Sequence, residues 1–398
     1  MLDYASALAI VLDQSVDWGS ERVNLTEAVG RVLLEPVVAD RDQPPFDRVA
    51  MDGIAIASAA YAAGRRRFAV SHLAPAGAPA RALADPDQCV EVMTGAPLPP
   101  GTDTVIRYED LRREGQTFMV PEGIVAGKSI HRRGADGRAG APVIARPRLV
   151  GPAEAAVLAT YGVATCSVAR LPRVAIASTG DEVVPVDRRP LAHQIRSSNV
   201  YQLAALFRAI GIVPTLSHLG DDPGGGRATL EKLIADHDLL LLSGGVSKGK
   251  LDHVPEWLAG AGIRRLFHRV AQRPGKPIWV GRNEDTMVFA LPGNPASSLV
   301  GALAYVGPWL RRQLRWEGRP ETLVLAEEVG FRPELTLFRA VRFRSDDAGP
   351  VAVPVGNSGS GDLVSLLDTD GFLVLPASQA TFPAGERYPF LSMNLLSR

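Results

Sequence analysis

Residues 286–310 read TMVFALPGNPASSLVGALAYVGPWL and contain no charged residue. A membrane helix needs about 20 apolar residues, so length alone would allow one here. Pro292, Gly293, Asn294 and Pro295 interrupt the run in its middle. Proline disfavours helix at the residue before it but suits a helix's first turn. The stretch therefore predicts a strand over TMVFAL, a turn, and a helix over 295–313. That reading makes the chain an α/β protein.

Working upstream, the same alternation recurs. RVAIAS, IVPTLSHL, DLLLLS and IRRLFHRV read as strands. Helical patterns at NVYQLAALFRAIG, 225–236 and 254–260 separate them. Near-continuous apolar strands joined by helices predict a doubly wound, mostly parallel sheet covered on both faces. The start, MLDYASALAIVLDQS, gives a helix over 3–15 with Asp3 as its cap, and a second helix is expected around 25–34. Residues 46–148 are dense in Gly and Pro with short alternating runs, and 321–398 hold short strands only. Four parts follow: a helical N-terminal domain (1–45 and 149–168), a β-rich inserted module (46–148), an α/β domain (169–316) and a C-terminal β-barrel or sandwich (317–398).

In an open α/β sheet, ligands bind beyond the carboxyl ends of the strands. The five segments there are TGDEVV, GDDPGGG, GGVSKGKLD, AQRPGKP and PGNPASS. All carry Gly with polar or charged residues. Glycines let backbone N–H groups approach phosphate, and helix N-termini favour anions. Asn294 as cap and Pro295 at the first helical position would leave the N–H groups of Ser297 and Ser298 free for a ligand. Lys248, Lys250, Arg269, Arg273 and Lys276 add positive charge; Asp181, Glu182, Asp221, Asp222 and Asp252 add carboxylates. Acid beside base in a phosphate site points to Mg²⁺ held by carboxylates and phosphate oxygens. Each feature also has a plainer reading. A Gly-Gly pair after a strand is ordinarily a tight turn, and Asp222-Pro223 can simply start a helix. His253 and His268 read as structural or solvent-facing, with no second His at ligand spacing.

The totals exclude several classes. Formal net charge is zero, which removes any global attraction to nucleic acid or anionic membrane. Cys89 and Cys166 give neither zinc spacing nor a disulfide framework, and the N-terminus lacks a signal peptide's basic region, so a cytoplasmic location is expected. No GxGxxG, GxxxxGK[ST] or GxSxG motif occurs in the required setting, which disfavours dehydrogenase, P-loop ATPase and esterase readings.

PPFDRVAMDG, MTGAPLPPGTDTVI, IHRRGAD, STGDEVV, SGGVSKGKLD, RPGKP and LPGNPASS occur in this order, and GNSGSGDLVSLLDTDGFLVLP follows in the tail. With these motifs the chain resembles the molybdopterin molybdenumtransferases and the C-terminal E domain of gephyrin, over nearly its whole length. The resemblance implies a four-domain homodimer. Its cleft would lie between one subunit's α/β domain and the other's MDG-bearing module. The implied substrates are adenylylated molybdopterin and molybdate: metal enters the dithiolene, AMP leaves, and Mg²⁺ assists. Carried over by motif, Asp52 and Thr94 act from the module, while Glu182, Asp221 and Asp252 are catalytic and bind metal. Gly244, Gly245 and Ser247 belong to the ligand loop. Arg269, Arg273 and Lys276 bind anions, and Pro292, Gly293, Asn294 and Pro295 shape the last loop, with Ser360 lining the cleft. A molybdopterin adenylyltransferase and molybdoenzymes are the implied partners.

Many relatives carry Ser at Val49, an aromatic at Ile54, Lys at Arg269 and Arg273, and an apolar residue and an acid where Lys248 and Lys250 stand. The rival readings are a molybdopterin adenylyltransferase and a non-catalytic scaffold. The first normally consists of the α/β domain alone or fused to this architecture; the second needs linker segments that the chain lacks.

Overall fold

The computed structural model describes all residues except 146, 246–252, 319, 347–348, 357–358 and 397–398. Ser247, Lys248, Lys250 and Asp252 lie outside the described residues. The chain forms two compact units: residues 1–35, 147–155 and 165–398, and residues 36–146 with 156–164.

The first unit is built on a six-stranded sheet. Its strands are β1 (Val174–Thr179), β2 (Thr215–Leu219), β3 (Leu239–Ser243), β4 (Arg264–His268), β5 (Trp279–Arg282) and β6 (Met287–Leu291). They lie in the order β2-β1-β3-β6-β5-β4. The first four in this order run parallel, and β5 is antiparallel to both its neighbours. Strand β5 (WVGR) was not anticipated; Pro277 and Gly281 flank and interrupt its apolar core. Its insertion returns β4 to the direction of the parallel strands, so all five Gly-bearing segments leave at one edge.

Alternation sorts the side chains to opposite faces. Ile176, Leu239, Leu241, Met287 and Phe289 pack with α1 (Asn199–Arg208) and α4 (Pro295–Gly301). Ala175, Ala177, Leu240, Leu242 and Val288 pack with α2 (Pro223–Asp236) and α3 (Val254–Gly260). Both faces are dry, which explains the unbroken leucine run. The helix expected over 295–313 continues from α4 through a wider π turn, Ala302–Val306, into Gly307–Gln313. Thus 286–310 is strand, turn and helix, and no helix among the described residues is long and apolar enough to cross a membrane.

The N-terminal helix spans Tyr4–Leu12, and Ser6 N–H donates to the Asp3 carboxylate at 2.8 Å. The second expected helix shrinks to Leu25–Ala28. Gly30 turns the chain at φ +82°, and Val32–Leu33 then joins a four-stranded sheet with Ser20–Asn24, Thr165–Ala169 and Arg148–Leu149. Non-local pairing of β-branched residues outweighs the weak local helical pattern.

The C-terminal region closes into a five-stranded barrel: Thr336–Asp346, Gly349–Pro354, Thr322–Leu325, Arg387–Ser392 and Gly371–Leu375, which pairs back onto the first. A Cβ on Gly371 would collide with the Leu391 carbonyl oxygen and the Phe390 ring. Gly371→Val should therefore destabilise the barrel by about 1–3 kcal/mol through overpacking. The readout is the thermal midpoint, and an unchanged midpoint would contradict this closure.

The second unit holds a six-stranded sheet in the order Thr104–Arg107, Gly53–Ile56, Gln88–Val92, Arg67–Ala74, Thr117–Met119, Arg112–Glu114. A side chain at Gly53 would strike the Ile106 carbonyl oxygen, so the glycine of MDG permits close strand pairing. Val49 and Ile54 are fully buried.

Candidate active site

Strand register sets the site. Ser178 is level with Ser243, and Ser243 with Leu291, across adjacent strands. Thr179-Gly180, Gly244-Gly245 and Pro292-Gly293 therefore leave the sheet side by side. The chain crosses from β1 outward to β2 and then back to β3 on the other side, so the gap between β1 and β3 is the topological switch point.

A cavity of 230 Å³ sits there, lined by Thr179, Gly180, Glu182, Gly220, Asp221, Gly244 and Gly245, with His253, Val254 and Trp257 as its wall. The glycines are steric necessities. A Cβ on Gly244 would come within 2.5 Å of Thr179 Oγ1, and one on Gly245 within 2.6 Å of a Val254 methyl. Gly180 leaves room for the Glu182 carboxylate to fold back over its loop. Asp181 and Asp221 lock their two loops reciprocally. Asp221 N–H donates to Asp181 Oδ1 at 3.0 Å, and Asp181 N–H to Asp221 Oδ2 at 3.3 Å. His253 stacks on Trp257.

Gly224, Gly225 and Gly226 of GDDPGGG have another role. They form the first turn of α2, capped by Asp222, whose carboxylate accepts from Gly225 N–H at 2.7 Å. A Cβ on Gly226 would meet the Trp257 ring and the Gly220 carbonyl oxygen. This loop is therefore built for helix packing.

A second cavity, of 490 Å³, opens between the α/β sheet and the barrel. Arg273, Lys276, Pro292, Asn294, Ser297 and Ser360 line it, with Phe331, Leu337, Phe338 and Phe372 on the barrel side. Residues Gln272–Arg273 pair with Thr336–Leu337 of the barrel. Gln272, 1% exposed, holds the loop through a bond from its Nε2 to the Pro274 carbonyl at 3.1 Å. The Arg273 guanidinium lies 5.9 Å from the Phe331 ring centroid. Arg269 lines neither cavity; it adopts φ +73° at the turn leaving β4.

Asn294 stands at the N-cap of α4 and Pro295 in its first turn, as expected, but the cap bond is absent. The Asn294 side chain makes no cap bond; its Nδ2 donates to Ser360 Oγ at 2.9 Å. Ser298 N–H is consumed inside the helix by the Asn294 carbonyl at 2.9 Å, and Ala296 N–H donates to the Ser360 carbonyl at 3.2 Å. The helix start is thus tied to the barrel's Ser360 loop.

Two residues at the site escaped the sequence reading. Arg339 lines the larger cavity with its Nε buried and without a partner among the described residues, and burial pushes its guanidinium pKa down. It is one arginine among several in LFRAVRFR, and no spacing marks it. Asn199 read only as a helix start, yet its Nδ2 donates to Ser243 Oγ at 2.8 Å and to the Gly293 carbonyl at 2.7 Å.

In the second unit, Asp52 Oδ1 accepts from Thr94 N–H at 2.6 Å and from Thr94 Oγ1 at 2.7 Å. The backbone bond, then the hydroxyl bond, holds the exposed Asp52 carboxyl below its usual range. Asp47 accepts from Arg133 N–H at 2.8 Å and Arg132 Nη1 at 2.7 Å, which ties the PPFDR loop to IHRRGAD. Among the described residues, no three His, Cys, Asp or Glu side chains converge as a metal cage. Glu182 and Asp221 share the smaller cavity as hard oxygen donors.

Residues 2–162 match the MoeA N-terminal region (domain I and II), 175–312 a probable molybdopterin binding domain, and 322–392 the MoeA C-terminal region (domain IV). The chain is 36% identical over 397 residues to a molybdopterin molybdenumtransferase from Synechocystis sp., covering 98% of this chain and 99% of that protein. A molybdopterin molybdenumtransferase from Staphylococcus epidermidis is 30% identical, with 95% and 92% covered. A solved molybdopterin biosynthesis moeA protein from Pyrococcus horikoshii OT3 superposes with a TM-score of 0.82 at 27% identity, covering 98% of this chain and 100% of that one.

Proposed function

Since the chain belongs to the molybdopterin molybdenumtransferase family, we propose that it inserts molybdate into adenylylated molybdopterin and releases AMP, assisted by Mg²⁺. The observation that carries this reading is the pairing of the two cavities. A carboxylate-lined cleft at the switch point and a cation-lined chamber with apolar walls open from one sheet edge, the first lined by Gly244 and the second by Pro292 and Asn294 of the neighbouring strand's loop. One half suits a metal-bound phosphate; the other suits an oxyanion or a second anionic group.

The residues divide the work. Glu182 and Asp221 would hold Mg²⁺, which when bound neutralises charge developing on the cleaved pyrophosphate. The backbone at Gly244 and Gly245 lets the ligand approach closely, while Trp257 and His253 shield one side. Arg273, Lys276 and Arg339 attract the oxyanion, and Ser360 and Asn294 supply hydrogen bonds. No cysteine lines either cavity; the thiolates that take the metal belong to the ligand.

The protein acts as a homodimer in the cytoplasm, with Asp52 and Thr94 of a second copy's MDG module completing the cleft. A molybdopterin adenylyltransferase supplies the substrate, and molybdoenzymes receive the product.

The purified dimer should release AMP from adenylylated molybdopterin only when both molybdate and Mg²⁺ are present, as followed by chromatography of the nucleotide. Release that ignores either component would sink the reading. Formation of adenylylated pterin from molybdopterin and Mg-ATP would favour the adenylyltransferase instead.

A further inference from the structure

We propose that Asn199 is a positioning residue that fixes the spacing between the two half-sites of the metal-insertion reaction; the inference rests on that reading of function. The β3–β6 ladder ends at the Ser243–Leu291 pair. One further backbone bond follows, from Gly244 N–H to the Leu291 carbonyl at 3.0 Å. Beyond it the chains part: Gly244 turns into the carboxylate-lined cleft, and Pro292-Gly293-Asn294 turns toward the cationic chamber. The two turns stay close there, since a Cβ added to Gly293 would be in van der Waals contact, 3.8 Å, with Gly244 Cα.

Asn199 spans this point. Its single amide nitrogen donates one proton to Ser243 Oγ at 2.8 Å and the other to the Gly293 carbonyl at 2.7 Å. Its own place is fixed, because it opens α1, whose Val200 and Leu203 are buried in the main core. Asn199 Oδ1 is buried and finds no partner among the described residues, so the residue is held by its two donors. Few side chains can replace it. Aspartate offers no donor when ionised, serine has only one, and glutamine sets its amide one methylene farther out.

A reaction that joins a ligand held in one cavity to an oxyanion held in the other depends on their separation. A misplacement of about 1 Å can cost roughly 100-fold in rate. Losing the clasp should thus lower kcat far more than it raises either KM, since each cavity keeps its own binding groups.

The test compares wild type, Asn199→Ala and Asn199→Asp in molybdate-dependent AMP release, with folding checked by circular dichroism. Asn199→Ala should lose about 10- to 100-fold in kcat, with each KM within about threefold of wild type. Asn199→Asp should be as impaired at high pH. Its activity relative to wild type should rise as pH falls, because the protonated carboxyl regains a donor for the Gly293 carbonyl. That relative pH profile needs no comparison with Asn199→Ala and survives if the alanine variant fails to fold. A pH-independent Asn199→Asp ratio, or wild-type kcat in Asn199→Ala, overturns the clasp while leaving the reaction in place. Wild-type protein that releases no AMP overturns the reaction and the clasp with it.

Discussion

Arg339→Met should cut molybdate-dependent AMP release by about 100-fold or more, the range for losing one preorganised charge donor at a reacting centre. Thermal stability should stay level or rise. Both halves of this result come from one feature. The guanidinium lines the 490 Å³ chamber with Arg273 and Lys276, its Nε is buried without a partner among the described residues, and burial drives its pKa downward. A half-buried charge of this kind costs stability, and an apolar side chain of similar volume removes that cost. The rate loss should appear mainly as a raised KM for molybdate if Arg339 binds the free oxyanion. It should appear in kcat if it meets charge that develops later. Wild-type turnover in Arg339→Met would remove Arg339 from the site. A large drop in melting temperature would show that the charge serves the barrel's fold.

The second large effect is at the opposite edge of the sheet. Asp238 enters the central strand β3 with its side chain only 9% exposed. It accepts from Arg173 N–H at 2.7 Å, Arg173 Nη2 at 2.9 Å and Arg170 Nη1 at 3.2 Å. Burial pushes the carboxyl's pKa up, but these bonds outweigh it and bring the net value below the ordinary 3.8. Asp238→Asn should cost about 3 kcal/mol at neutral pH, the low end for breaking a buried pair. The lower figure applies because the Arg173 side chain, 61% exposed, can return to water. The pH dependence has a definite sign. A carboxylate with a depressed folded pKa stabilises fully above the unfolded value, and that stability is lost as pH falls through the folded one. Wild type should therefore lose its advantage over Asp238→Asn progressively below about pH 4. Denaturant midpoints of both proteins across that range give the readout, and parallel acid limbs would refute the assignment. Turnover per folded molecule should not change, because Asp238 lies a strand's length, roughly 17 Å, from the ligand edge.

Much of the fold was legible because local chemistry is strong in particular places. The proline pair around Gly293-Asn294 splits the uncharged run into strand and helix wherever the rest of the chain lies. The leucines at 239–242 require a strand covered on both faces, and β3 is covered on both. Where local signals were weak, long-range pairing prevailed. Val32–Leu33 left its expected helix for a sheet, and β5 appears only as the return strand between β4 and β6. The site followed the same division. Gly-bearing loops after strands marked the ligand edge, but not which glycines line a cavity: Gly244 does, whereas Gly226 serves the packing of α2 on Trp257.

The sequence by itself determined the alternating architecture, the edge at which the loops gather, and the motif set that ties the chain to its family. Periodicity, turn chemistry and motif order are properties of neighbours along the chain. Only the tertiary structure decided that acidic and cationic groups occupy separate cavities, that the Asn294 side chain reaches Ser360 instead of bonding its own helix, that Arg339 lines the larger cavity and that Asn199 bridges Ser243 and Gly293. Each of these depends on contacts between residues dozens of positions apart. Barrel closure and strand register bring them together, and an arginine or an asparagine carries no local mark of what will pack against it.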